Sequence, residues 1–287
     1  MTTIFTEHHR LAILAALIVA PFAGALLMGL DRKLTARMQS RVGPPILQPF
    51  YDIFKLLGKE PILVNRVQAV YAFLHLAFMV LTLALVLMGQ DALMILFTLA
   101  FSTLSLVLGG MCARSPYSRI GSQREILLMV AYEPILVLLV IGLYLCQGSF
   151  RIGAVLGADQ PLLFRMPLLF LSFLLVLAIK LQKSPFDIAT SHHAHQEIVK
   201  GITTEFAGPF LAVIELAHCY EVALLFVLVG MFWTTNLAMA ASLALASFLL
   251  MIVVDNAFAR LTSIWAFRFM WTLALGGALT NVLWLYF

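Results

Sequence analysis

Apolar residues run along this chain in unbroken blocks, without the one-sided stripes that mark the helices of a soluble protein. Eight blocks stand out, at 11–30, 67–88, 92–111, 126–146, 162–181, 209–233, 237–254 and 264–287. Each is close to the ~20 residues that cross a ~30 Å hydrocarbon layer at 1.5 Å per helical residue. The pattern therefore predicts an all-α integral membrane protein of about eight spans. Arg165 and Pro167 interrupt the start of the fifth block. A transmembrane barrel is excluded, because its strands alternate apolar and polar positions in runs of about ten residues.

A second, weaker pattern lies in the segment after the first block. In PILQPFYDIFKLLGK (45–59), Ile46, Leu47, Phe50, Ile53, Phe54 and Leu57 share one helical face, with Asp52, Lys55 and Lys59 opposite. This segment reads as an amphipathic helix along the membrane surface. Gly43, Pro44 and Pro45 stiffen the approach to it.

Composition agrees with a single membrane domain over 1–287. Of 287 residues, 62% are hydrophobic and only 11% are charged, against about 25% in soluble domains, and mean hydropathy is +1.01. This excludes a soluble enzyme or a disordered regulator. Fifteen of the 18 basic residues fall in or beside the connections at about 31–66, 112–125, 182–208 and 255–263. The positive-inside rule puts those loops in the cytoplasm and both termini outside, as in a prokaryotic inner membrane. Arg10 precedes the first block and Asp31, Arg32, Lys33, Arg37 and Arg41 follow it, the order of a retained anchor.

Candidate chemistry lies where charge enters the blocks. A charge at mid-bilayer costs roughly 2.5–3.5 kcal/mol on insertion scales, so each is a functional hypothesis. Glu133 stands before Pro134 in the fourth block; Glu215, His218 and Glu221 form a ladder at helical spacing in the sixth. Burial and neighbouring carboxylates favour a protonated carboxyl, so such groups can exchange protons near neutral pH. The alternative is a packing role, with Glu215 or Glu221 paired to Lys180, Lys183 or Arg124. His75 reads as a satisfied helix-contact residue, and Asp31 and Asp255 as interfacial charges, Asp255 paired with Arg260.

The loop at 180–208 concentrates Asp187, His192, His193, His195, Glu197, Lys200 and Glu205. Its histidines suit a polar or proton-conducting interface, or a solvated loop, better than a metal, because no complete ligand set accompanies them. Cys112, Cys146 and Cys219 are far apart and read as packing thiols, so this chain is expected to hold no metal, iron–sulfur cluster or other cofactor.

The string RVGPPILQPFYDIFKLLGKE (41–60) resembles the first cytoplasmic loop of the respiratory complex I subunit 1 family, which includes membrane subunits of [NiFe] hydrogenases. Gly121-Ser-Gln-Arg-Glu125 with Ala131-Tyr-Glu-Pro134, Ser184-Pro-Phe-Asp-Ile188, Glu197-Ile-Val-Lys-Gly201 and Thr204-Glu-Phe206 continue the likeness in order. Lys180-Leu-Gln-Lys183 stands where quinone-reducing members have a Glu-Thr-Asn-Arg-like segment, and Ser191-His-His-Ala-His-Gln196 replaces much of an acidic run. That departure resembles the Ech-type, ferredoxin-linked branch. The resemblance implies a coupling subunit that is not itself redox-active. It implies partners with a [NiFe] centre and Fe–S clusters: a large subunit, a small Fe–S subunit, a ferredoxin-like subunit and antiporter-like membrane subunits, with no nucleic acid. Docking is expected at Arg41, Pro44, Asp52, Lys55, His192, His193 and His195. Ion coupling is expected at Asp187, Glu197, Glu205, Glu133, Glu215, His218 and Glu221, supported by Arg124, Lys180 and Lys183. The competing expectations are a quinone-chamber subunit of an NADH or F420H2 dehydrogenase, a self-contained transporter and a passive scaffold.

Overall fold

In lipid a backbone must satisfy its own N–H and C=O groups, so the apolar blocks fold as helices. The computed structural model describes residues 2–62, 65–155, 157, 160–186 and 201–287. In chain order the helices are α1 (Thr2–Met38), α2 (Gln48–Leu57), α3 (Arg66–Leu87), α4 (Ala92–Met111), α5 (Pro116–Gln147), α6 (Ile152–Val155), α7 (Leu162–Arg165), α8 (Pro167–Lys180), α9 (Pro209–Gly230), α10 (Leu237–Ala257), α11 (Ser263–Phe269) and α12 (Leu275–Tyr286). A π-helical turn, Met270–Ala274, joins α11 to α12. Among the described residues there is no strand, only an isolated bridge between Asp91 and Arg151.

Seven segments are long and apolar enough to cross a bilayer: Leu11–Met38, Arg66–Leu87, Ala92–Met111, Pro116–Gln147, Pro209–Trp233, Leu237–Ala257 and Ser263–Tyr286. The fifth predicted span is shorter than its apolar block. Proline cannot donate a backbone hydrogen bond, and the helix breaks at Met166 before Pro167, leaving α8 only 14 residues long. Asn281 of α12, fully buried, repairs the break: its Oδ1 accepts from Leu169 N (3.0 Å) and its Nδ2 donates to the Arg165 carbonyl (3.2 Å). Two expected loops also shrink. Helix α1 runs on through Asp31 to Met38, and α5 begins at Pro116, so most of 112–125 is helix.

The bundle is ordered by close neighbours: α3 on α4 and α9, α1 on α9, α4 on α5, and α8 and α12 on α5. Helices in membranes approach closely where one side chain is absent. Gly24 of α1 is such a point, since a Cβ there would sit 1.9 Å from the Cys219 carbonyl of α9. Gly208, at positive φ, turns the chain into α9 against the Glu60 carbonyl. One apolar core runs through α3, α4, α5, α8, α9, α10 and α12. The thiols are placed differently from expectation, Cys219 being buried and Cys112 and Cys146 only half-buried.

Candidate functional site

Glu221 is the thirteenth residue of α9, about 18 Å from its start by the helical rise, and it is buried. Its carboxylate is held from two sides. Lys180 Nζ, at the last turn of α8, lies 3.1 Å from Oε1, and His218 Nδ1 lies 3.3 Å from Oε2. The same ammonium donates to Thr103 Oγ1 of α4 (2.8 Å) and sits over the Tyr132 ring of α5, 4.9 Å from its centroid. Because α8 ends at Lys180, its negative C-terminal end and the Lys180 cation meet inside the bundle. Next to them His75 of α3 is buried, with Nδ1 2.9 Å from both the carbonyl and the Oγ of Ser102 on α4. Three helices, α3, α8 and α9, thus bring an acid, a lysine and two imidazoles together inside the bundle.

Three cavities that share lining residues lie between this centre and α2. The innermost, about 40 Å³, is bounded by His75, Thr103, Glu125, Lys180, Gln182 and Glu221, among others. It adjoins one of about 190 Å³ that has His75, Gln182 and Glu221 in its wall and adds Arg32, Glu215 and His218. The third, about 460 Å³, shares Arg32 and Glu215 and reaches Asp52, Lys55 and Lys59 of α2. These chambers have polar groups enough to hold water. Helix α2 therefore differs from a simple surface helix. Its exposed apolar residues Leu47, Phe54 and Leu57 face outward, while Asp52, Ile53, Lys55 and Leu56 roof the third cavity. Arg32 Nη1 bonds Asp52 Oδ2 at 2.9 Å and Phe22 stacks on Phe50, and these contacts hold α2 to α1.

Of the expected ladder, the His218–Glu221 rung is a direct contact, and Glu215 stands one turn nearer the surface in the walls of the two outer cavities. The Lys180 pairing, read from sequence as an alternative role for Glu221, is realised in the same network. Lys183 is elsewhere: it bonds Asp31 Oδ2 of α1 (2.5 Å) and Asp255 Oδ2 of α10 (3.0 Å), while Ser184 N donates to Asp255 Oδ1 (2.9 Å). The expected Asp255–Arg260 pair is replaced by this clamp, because the chain leaving α8 folds back between α1 and α10. Glu133 is not among the residues lining the cavities described. It is half-buried on α5, at helical spacing from exposed Val130, Val137, Ile141 and Tyr144; its Oε1 is buried without a hydrogen-bond partner, and the Lys180 charge acts on it. Glu205 is half-buried just before α9; Arg124 lies in α5, Arg41 is exposed beside Gln39, and Pro44 precedes α2. Asp187, His192, His193, His195 and Glu197 fall outside the described residues.

Sequence reasoning missed Glu125, Thr103 and Ser102 as parts of the site. Glu125 stood within the quoted Gly121-to-Glu125 motif, which was its only signal.

A chain with these features is a multi-pass membrane subunit built around a buried acid–base network that opens to one face. The pattern of the NADH dehydrogenase family matches residues 11–286, and the chain belongs to that family, the subunit 1 (H) family of complex I. It is 30% identical over 242 residues to NADH-ubiquinone oxidoreductase chain 1 of Mycosarcoma maydis, covering 76% of this chain and 71% of that one. It is 31% identical to Hydrogenase-4 component C of Escherichia coli K12, covering 69% and 67%. The alignment with the Neurospora crassa chain 1 spans 64% of that protein's length. Among solved structures, a chain of the membrane-bound sulfane sulfur reductase, an archaeal respiratory membrane complex, superimposes with a TM-score of 0.88 at 26% identity, over 97% of this chain and 99% of that one. The protein is a membrane subunit of a respiratory complex of the complex I and energy-converting hydrogenase type.

Proposed function

We propose that this chain is the coupling subunit of a ferredoxin-linked, hydrogenase-type complex, and that it links electron transfer in a docked peripheral arm to translocation of protons or sodium ions. The observation that carries the reading is the succession of polar groups lining neighbouring cavities, from the α2 roof past Glu215 and His218 to the buried Glu221–Lys180 pair. Even a paired buried carboxylate often stabilises less than apolar residues of the same volume, so packing alone is a poor reason to keep one in such a place. Redox events at the docked arm would move the loop after α8, which carries Gln182 into the wall of the two inner cavities, and so change which groups are charged. The chain has three dispersed cysteines, so the redox centres belong to partners. Glu133, half-buried on α5 with an unpartnered buried Oε1, supports a hand-over of the proton beyond the cavities. The hydrogenase branch is favoured by Lys180-Leu-Gln-Lys183 and by the similarity to Hydrogenase-4 component C.

A second reading, a quinone chamber, draws on the third cavity, where Met28, Pro49, Ile53, Leu56 and Leu211 supply an apolar wall. Arg32, Asp52, Lys55, Lys59 and Glu215 share that cavity, a more charged lining than apolar ring binding favours. Both readings are tested with the purified complex in sealed vesicles. In Glu215→Gln, electron transfer is expected to continue while the ion gradient is lost; a wild-type gradient overturns the coupling role. Reduction of quinone analogues without hydrogen evolution replaces the first reading by the second.

A further inference from the structure

A further cavity, of about 80 Å³, lies among α1, α9, α10 and the chain leaving α8. Asp31, Arg32, Lys183 and His218 supply its polar groups, and apolar side chains such as Val222, Phe248 and Ile252 complete the wall. His218 lines both this cavity and the 190 Å³ chamber. At ~10–15 Å³ for each water, the space holds several, and these four groups give them partners.

The charges around it do not balance. Lys183 is the one ammonium between two carboxylates, Asp31 of α1 and Asp255 of α10. Asp255 has both oxygens engaged, Oδ2 by Lys183 and Oδ1 by the Ser184 N–H. Asp31 has only Oδ2 engaged, and its Oδ1 is buried without a hydrogen-bond partner. The other cation in the wall, Arg32, bonds Asp52 of α2. The group of three is thus one positive charge short, and the open position is on Asp31. A buried carboxylate oxygen in that condition calls for a water or a proton. Water reaches the residue: its side chain is 18% exposed, and it stands two helical turns from the exposed end of α1 at Met38.

We infer that Asp31 is a proton-loading residue for His218, taking a proton from water at the end of α1 and passing it through this cavity to the imidazole. The inference rests on the coupling reading above and adds to it an inlet that does not pass beneath α2. A hydronium ion at the α1 end gives its extra proton to Asp31 Oδ1, while Lys183 stays fully protonated against Asp255. A water in the cavity accepts that proton from Asp31 and gives one of its own to Nε2 of His218. Asp31 is then an anion again, and the proton rests on the imidazole, whose Nδ1 faces Glu221 Oε2 at 3.3 Å. Histidine suits this position because it takes a proton at one ring nitrogen while the other holds a carboxylate.

The test uses the purified complex in sealed vesicles, with this subunit as wild type, D31N and L27F, and reads the membrane potential built up during turnover. D31N keeps an oxygen for Lys183 and removes the group that carries the proton. The rate of proton translocation is expected to fall at least about tenfold and to recover in part when formic acid, a small proton carrier, is added. Wild-type translocation in D31N overturns the inlet. So does a D31N complex that is impaired and gains nothing from the acid, since Asp31 is then only a brace between helices. L27F covers the case in which D31N does not assemble. Leu27, half-buried one turn before Asp31, lines the cavity, and the larger ring fills it with all three charges left in place. The same fall is expected, and wild-type translocation in L27F overturns the water path. A wild-type complex that moves no ion overturns the coupling reading; one that moves sodium ions and no protons leaves that reading standing and overturns only the inlet.

Discussion

The same three helices line two cavities of opposite character. In one half of the bundle α4, α5 and α9 supply Thr103, Glu125 and Glu221 to the polar centre. In the other half they supply Ala92, Ile95, Leu96 and Leu99, then Leu136, Leu139, Val140 and Leu143, then Leu228, to a cavity of about 60 Å³ whose lining residues are all apolar. A cavity without polar partners stays dry. The polar chambers described therefore end within the bundle, and a proton arriving at Glu221 meets an apolar plug if it continues along the helix axes. The contrast teaches that this chain is built as half a conduit with a sideways turn.

The largest test of the contrast is Lys180→Met. It leaves Glu221 buried without its cation, and removal of one partner from a buried pair costs about 3–5 kcal/mol; the expected result is a lowered Tm for the complex or loss of this subunit from it. Next comes Leu99→Ala in the dry half, expected to cost about 2–4 kcal/mol and to enlarge a cavity that takes up xenon. The matching change in the wet half, Leu106→Ala, removes a half-buried residue from the wall of the two inner polar cavities. With polar groups ready to hold water there, it is expected to cost only about 1 kcal/mol by denaturant midpoint. Equal costs for the two leucine changes would erase the distinction between the halves. Smallest is Arg32→Gln, which breaks the partly exposed contact with Asp52. Its effect on stability is expected below about 1 kcal/mol, read by thermal melting, with increased protease cleavage around α2 as the visible sign.

Much of this arrangement was legible in the chain. Apolar block length predicts the spans, and the interruption at Arg165 and Pro167 marks where α8 is shortened. The amphipathic segment is α2, and the spacing of His218 and Glu221 forecasts their contact, because helical neighbours are fixed by local geometry. Contacts between distant helices are not written in any local pattern. Nothing near Lys183 indicates that Asp31 and Asp255 will meet it, and nothing near Thr103 indicates that it will accept from Lys180. For α2 the amphipathic pattern identified two faces but not what each meets, since a roofed cavity and open water both accept charge. Glu133 shows the same limit from the other side: the sequence groups it with Glu215 and Glu221, whereas in the fold it lines none of the cavities that those two line.

The burial of Lys180 at the end of α8 has an electrical consequence. Where polar chambers penetrate to the depth of Lys180, the insulating layer is thinned to the apolar half beyond it. The transmembrane potential, worth about 2.3 kcal/mol per elementary charge per 100 mV, is then concentrated across that remaining layer. Charge moved from the α2 side as far as Glu221 crosses little of the voltage, and nearly all of the electrical work falls on the steps that follow.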